Sequence, residues 1–183
     1  KLLSKKEIDK RFEIKIDEIS YDRKFLFEQP GYNFFAPEIC AAFGNTQLQK
    51  FDRLSSGRLA NFQYLKKLIE KELADFIITP LQKENVDTVW LAYPVILKNL
   101  NSTKTRNSLQ IFLEKHNIQT RPIFSGNITK QPMMKERRFK TSDDGYENTD
   151  FIMKNGMLIG CHPKLSFSDL DYICELLKQF FYD

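Results

Sequence analysis

Between Thr120 and Lys140 the chain gathers residue types that bind anions. The stretch T-R-P-I-F-S-G-N-I-T-K-Q-P, Thr120 to Pro132, opens apolar as a strand would. It turns through Ser125, Gly126 and Asn127 and leaves on Thr129, Lys130 and Gln131. Arg121 lies ahead of the turn; Lys130, Lys135, Arg137, Arg138 and Lys140 follow it against a single acid, Glu136. Phosphate groups are held by forked Arg, by point-charge Lys and by free backbone N–H groups, and a Ser-Gly-Asn turn can supply the last of these. One reading is a loop that closes over a phosphorylated ligand. The other is a solvated basic loop, which spacing alone slightly favours. Asn33, in Gly31-Tyr32-Asn33 ahead of a helical pattern, has the same two readings, an amide offered to a ligand or a cap or turn residue, and the local pattern favours the second.

Other chemistry is sparse. His162 follows Gly160-Cys161 at a strand end, with no nucleophile placed beside it by any motif. His116 sits near a helix C-terminus, where contact with the helix dipole is the usual role. The three cysteines, Cys40, Cys161 and Cys174, are odd in number and show no C-x-x-C spacing, which argues against a disulfide framework or a zinc site, and a count of only two His argues further against any metal site. That usage fits a reducing cytoplasm, and Cys161 and Cys174 read as core residues. No glycine-rich phosphate motif, H-E-x-x-H or G-x-S-x-G occurs. A net charge of +4 over 183 residues is mild beside the dense basic stripe of a nucleic-acid binder. No apolar run reaches membrane-spanning length, and no signal peptide opens the chain. The first residue is Lys rather than Met, which reads as a fragment or a trimmed chain.

The elements that must position these residues follow from periodicity. Residues 1–30 are charged with scattered aromatics and suggest one short strand at most. Pro37 suits a helix start, with Ile39, Ala42, Phe43, Leu48 and Phe51 at helical spacing and Gly44 as a site of close packing. A second helix spans about Leu54 to Ala74, with Leu59, Phe62, Leu65, Leu68, Ile69 and Leu73 as its stripe. A strand stub follows at F-I-I-T. Thr88 to Leu97 is a strand, which Pro94 places at an edge or a bulge. The helix T-R-N-S-L-Q-I-F-L-E-K-H-N ends with Asn117 as its left-handed residue, and I-Q-T-R-P-I-F is the next strand. Lys130 to Asn148 is a long polar loop of the kind that is functional or disordered. A short helix is expected from Thr149, as N-cap, to Gly156, then the strand M-L-I-G. A last helix follows, capped by Ser166 and Asp169 and striped by Leu170, Ile173, Cys174, Leu177 and Phe181. Strands separated by helices make an α/β or α+β layer structure, with a short sheet of about three to four strands packed with helices and entered by the long helix.

Three motifs in order are more specific than any one. G-Y-N-F-F-A-P-E-I-C-A-A-F-G-N-T-Q-L-Q-K-F-D, T-R-P-I-F-S-G-N-I-T-K-Q-P and N-T-D-F-I-M-K-N-G-M-L-I-G resemble segments of the DegT-type sugar aminotransferases and dehydratases. K-R-F and Y-D-R-K-F ahead of them resemble the leader of the hexulose 3-dehydratase branch. The resemblance implies the small domain of a fold-type I enzyme that uses pyridoxal 5'-phosphate (PLP) on nucleotide-linked keto-deoxy sugars for lipopolysaccharide or other surface polysaccharides. Residues 1–52 would be the tail of the large cofactor domain and 53–183 the C-terminal small domain. Asn33 would reach the cofactor phosphate of the partner subunit in a homodimer with shared active sites. The family often has a cation two residues later; Phe35 stands there. Arg121, Ser125, Asn127, Lys130 and Gln131 would line the nucleotide-sugar side. The Schiff-base Lys, or the His that replaces it in 3-dehydratases, would lie upstream of Lys1, as would any iron–sulfur ligands, so the 183 residues alone would be inactive. An aminotransferase would also take an amino donor such as glutamate. The alternative is a non-enzymatic anion- or nucleotide-binding α/β module; neither nucleic acid nor membrane is expected as a partner.

Overall fold

The computed structural model describes residues 10, 13–16, 19–21, 32, 34, 36–98, 103–134, 136–141 and 143–183. The chain divides into two compact units, Lys1–Thr46 and Gln47–Asp183. In the first, β1 (Ile14–Ile16) pairs antiparallel with β2 (Ile19–Tyr21), Ile14 opposite Tyr21 and Ile16 opposite Ile19. This is a hairpin where the sequence suggested one strand at most, because three-residue strands carry too few alternations to register as a period. Helix α1 (Glu38–Leu48) starts directly after Pro37, whose carbonyl accepts from the Cys40 N–H at 3.0 Å. Its periodic residues do not form a core. Ile39 and Phe43 are 78% and 67% exposed, and no residue of α1 is buried. A Cβ on Gly44 would meet nothing within 4 Å, so the expected close packing there is absent among the described residues.

The second unit opens on α2 (Phe51–Glu72), which buries Phe62, Leu65 and Ile69 on one face. Then come β3 (Ile77–Ile78), β4 (Ala92–Leu97), α3 (Arg106–Lys115), β5 (Thr120–Pro122), α4 (Glu147–Asn155), β6 (Gly156–Gly160) and α5 (Phe167–Tyr182). The four strands form an antiparallel sheet in the order β3-β4-β6-β5, which makes the unit α+β. Strand geometry sends alternate residues to opposite faces. Tyr93, Val95 and Leu97 of β4 and Met157 and Ile159 of β6 pack with Leu65 and Ile69 of α2, Leu109 and Leu113 of α3, and Leu170, Ile173, Leu177 and Phe181 of α5. Helices therefore cover one face of the sheet. The register aligns Pro94, Leu158 and Arg121 across the other.

β4 lies inside the sheet, yet β3 reaches only as far as the register of Ile96, so at Pro94 the strand has one neighbour among the described residues, β6. The edge reading of that proline holds locally. Other expectations are met where they are local. Asn117 takes φ +63° after α3. Ser166 and Asp169 cap α5 reciprocally. Cys161 and Cys174 are buried, which pushes both thiols up in pKa, Cys174 to about 11. α4 starts at Glu147 and not after Thr149, with Glu147 and Asp150 in its first turn, where carboxylates complement the helix dipole. Among the described residues no helix is long and apolar enough to cross a membrane.

Asn61 supplies the polar tie of this unit. It is buried in α2, and its Nδ2 donates to the carbonyls of His162 at 2.7 Å and Leu165 at 3.0 Å. The turn between β6 and α5 is thereby fixed to the long helix.

Candidate functional site

Strand β5 carries Arg121 onto the sheet face opposite the core and then delivers the chain into the Ser-Gly-Asn turn. Arg121 is exposed, and its guanidinium has no hydrogen bond or ion pair among the described residues. It lines a groove of about 730 Å³ together with Leu91, Leu158, His116, Asp169 and Tyr172. That volume is in the range of small-molecule sites. His116 caps α3, and its Nδ1 lies 2.8 Å from the Phe112 carbonyl. A carbonyl only accepts, so Nδ1 carries a proton there. The Asp169 carboxylate is engaged by Ser166, whose Oγ and backbone N–H donate to its Oδ2 at 2.7 and 2.8 Å; those bonds hold its pKa down. Arg121 is therefore the uncommitted charge of the groove.

Ser125, Asn127, Lys130 and Gln131 do not line the groove. They build the loop beyond it. Phe124 sits at φ +47° and is 90% exposed, a conformation that a bulky residue rarely adopts. Gly126 follows at φ +61°, where a Cβ would lie 2.4 Å from Cγ of Met153. Asn127 is 1% exposed and is the hub. Its Oδ1 accepts from the Thr129 N–H at 3.0 Å and from Thr129 Oγ1 at 2.7 Å, while its Nδ2 donates to Asp150 Oδ1 at 2.7 Å. Asp150 Oδ2 pairs with Lys130 Nζ at 2.7 Å, and Gln131 Nε2 donates to the Ser125 carbonyl at 2.8 Å. The sequence singled out the loop and Asn127, as residues facing a ligand, but not Asn127's place as the loop's hub or the acid on which it closes. Asp150 lies 23 residues further along, and no local period links the two.

The Lys130 ammonium, and after it the Asn127 amide, hold the Asp150 carboxyl below the usual carboxylate range. The stabilisation that Asp150 gives the folded loop is present above the unfolded carboxylate value, about 4, and disappears as acid protonates it below that. Loop order, followed through the Thr129 amide resonance, should be constant from neutrality to about pH 5 and fall below about pH 4. Asp150→Asn should remove that acid dependence. A loop equally ordered at low and neutral pH would contradict this.

Asn33 and Phe35 are outside the described residues. His162 is exposed, and its Nδ1 accepts from the Lys164 N–H at 3.2 Å. It does not line the groove.

The model of the DegT/DnrJ/EryC1/StrS aminotransferase family matches residues 6–178. The lipopolysaccharide biosynthesis protein RfbH of Salmonella typhimurium is 32% identical over 161 residues, 88% of this chain and 36% of that protein. The GDP-4-keto-6-deoxy-D-mannose 3-dehydratase of Escherichia coli O55:H7 is 31% identical over 86% of this chain and 39% of its own length. The E. coli GDP-4-keto-6-deoxy-D-mannose 3-dehydratase structure with bound hydrated PLP superposes with a TM-score of 0.72 at 29% identity, covering 85% of this chain and 39% of that one. The chain therefore spans between a third and two fifths of the length of these relatives.

Proposed function

The chain belongs to the DegT/DnrJ/EryC1/StrS aminotransferase family, and from that premise we propose that it supplies the substrate-side domain of a PLP-dependent enzyme acting on a nucleotide-linked keto-deoxy sugar in lipopolysaccharide or surface-polysaccharide synthesis. The observation that carries this reading is an Arg121 with no partner among the described residues, on the sheet face opposite the core, followed directly by a Ser-Gly-Asn loop bonded to itself and to α4. In this reading the Arg121 guanidinium takes the diphosphate, as a forked donor suits phosphate oxygens. Ser125, Asn127, Lys130 and Gln131 form the adjoining wall. Removal of the sugar 3-hydroxyl is favoured over amino transfer, because relatives at 28% and 31% identity are named as 3-dehydratases. An aminotransferase would add a glutamate-like donor.

PLP, when bound, supplies an electron sink for carbanion chemistry. The described residues do not form its cradle. The groove contains no lysine amine, and Asn33, proposed to reach the cofactor phosphate across a homodimer, is outside them. Assignment of 1–52 to the large domain and 53–183 to the small one, and a cytoplasmic location, belong to the same proposal.

Calorimetric titration with a GDP-linked hexose tests it. Saturable binding is expected, weakened about tenfold or more by Arg121→Ala, the loss expected for one charge-assisted contact. The chain alone should show no cofactor absorbance at stoichiometric occupancy. Steeply salt-dependent RNA binding with no affinity for the GDP sugar would overturn the reading in favour of an anion-binding module, and a stoichiometric PLP band would overturn the placement of the cofactor site.

A further inference from the structure

Two motifs that are separate in the sequence form one device in the fold. On α4, Asp150 and Met153 stand three residues apart and so share a face. Both touch the loop that follows β5. The Met153 side chain lies where a Cβ of residue 126 would be, and its Sδ accepts from the Asn127 N–H at 3.4 Å. Asp150 spends one oxygen on Asn127 and the other on Lys130, each at 2.7 Å.

We infer that Asp150 is a positioning residue: through Asn127 and Lys130 it latches Ile123–Gln131 to α4 and so sets the wall beside Arg121. The inference rests on the nucleotide-sugar reading above for its ligand, but the latch itself is geometric. The donors and acceptors close without ambiguity. Asn127 Oδ1 receives only donors from Thr129, so its Nδ2 must face Asp150, and a carboxylate there must be an acceptor. A charged acceptor for an amide that is almost wholly buried is a strong bond of its class, and leaving that amide without it is costly. Lys130 gives Asp150 one of its three N–H donors, with the two side chains 55% and 36% exposed, and that contact turns its ammonium toward the loop. The cation that the sequence would offer to a phosphate acts as a strut, and the ligand's charge falls to Arg121. Phe124, exposed and held in the left-handed region, is then the side chain that the latched loop presents outward.

A double-mutant cycle on the 183-residue chain decides this. Asp150→Ala, Lys130→Ala and the double variant are compared for GDP-hexose affinity and for amide exchange across Gly126–Gln131. Asp150→Ala should accelerate exchange of the Thr129 and Lys130 amides by about tenfold or more while β4 and α5 keep their protection, the signature of a local opening. Each single variant should weaken binding by a similar factor, and the double variant by no more than the larger of them, because the two residues act as one contact. Asp150→Asn keeps an acceptor for Asn127 at unchanged volume and should restore most of the protection. Unaltered loop exchange in Asp150→Ala overturns the latch. So does a further loss on adding Lys130→Ala to Asp150→Ala, since Lys130 would then touch the ligand itself. If the parent chain binds no GDP sugar, the functional reading fails, and the exchange data still decide the latch.

Discussion

Gly126→Ala should destabilise the Gln47–Asp183 unit by about 2–5 kcal/mol, from two costs that add. Left-handed backbone costs an L-residue about 1–2 kcal/mol, and Gly126 sits at φ +61°. The new Cβ would also lie 2.4 Å from Met153 Cγ and 2.8 Å from Met153 Cβ. The Met153 thioether can swing away, but its Cβ is fixed to α4, so the loop or the helix has to shift, and forced overpacking of this kind costs about 1–3 kcal/mol. Urea unfolding should show a lower midpoint at unchanged slope. The same exchange in α1 is the control. Gly44→Ala meets nothing within 4 Å and should be neutral or stabilising by up to about 1 kcal/mol through helix propensity. Equal effects at the two glycines would show that the loop does not rest on α4.

Leu65→Ala should be at least as severe. Leu65 is fully buried on the face of α2 that meets the sheet and α5, where truncating a leucine removes its transfer free energy and leaves a cavity, together about 2–5 kcal/mol. For a unit of this size the melting temperature should fall by roughly 10 °C. Leu59→Ala on the same helix, at an exposed position, should cost well under about 1 kcal/mol. Circular dichroism melts of the two variants test whether α2 is seated as described; similar losses would mean that its register against the sheet is wrong.

The fold was readable where the controlling interaction is local. The α5 capping box joins residues three apart, the left-handed Asn117 answers to the turn it closes, and the stripes of α2 and α5 carry enough turns to show their period. The readings that changed concern what lies across space. Periodicity says that α1 has an apolar face but not what covers it, and Ile39 and Phe43 stand exposed. Residues 1–30 yielded a hairpin because its strands are too short for a pattern. In the candidate site, Arg121 and the Ser-Gly-Asn turn stood out by composition. The division of labour between Arg121 and Lys130 did not, since it depends on which cation an acid from α4 neutralises.

The short β3 and the proline of β4 also bear on how the protein behaves in a crowded solution. Among the described residues no strand lies beside the flank of β4 away from β6 from Ala92 to Val95, and an unpaired β-strand flank is a template for adding a foreign chain. Pro94 stands in the middle of that flank and offers no N–H, so an incoming strand would meet a missing rung where continuous pairing has to be established. The proline that the sequence placed at an edge or a bulge thereby stands where it would hinder edge-to-edge pairing, at the point where β3 stops.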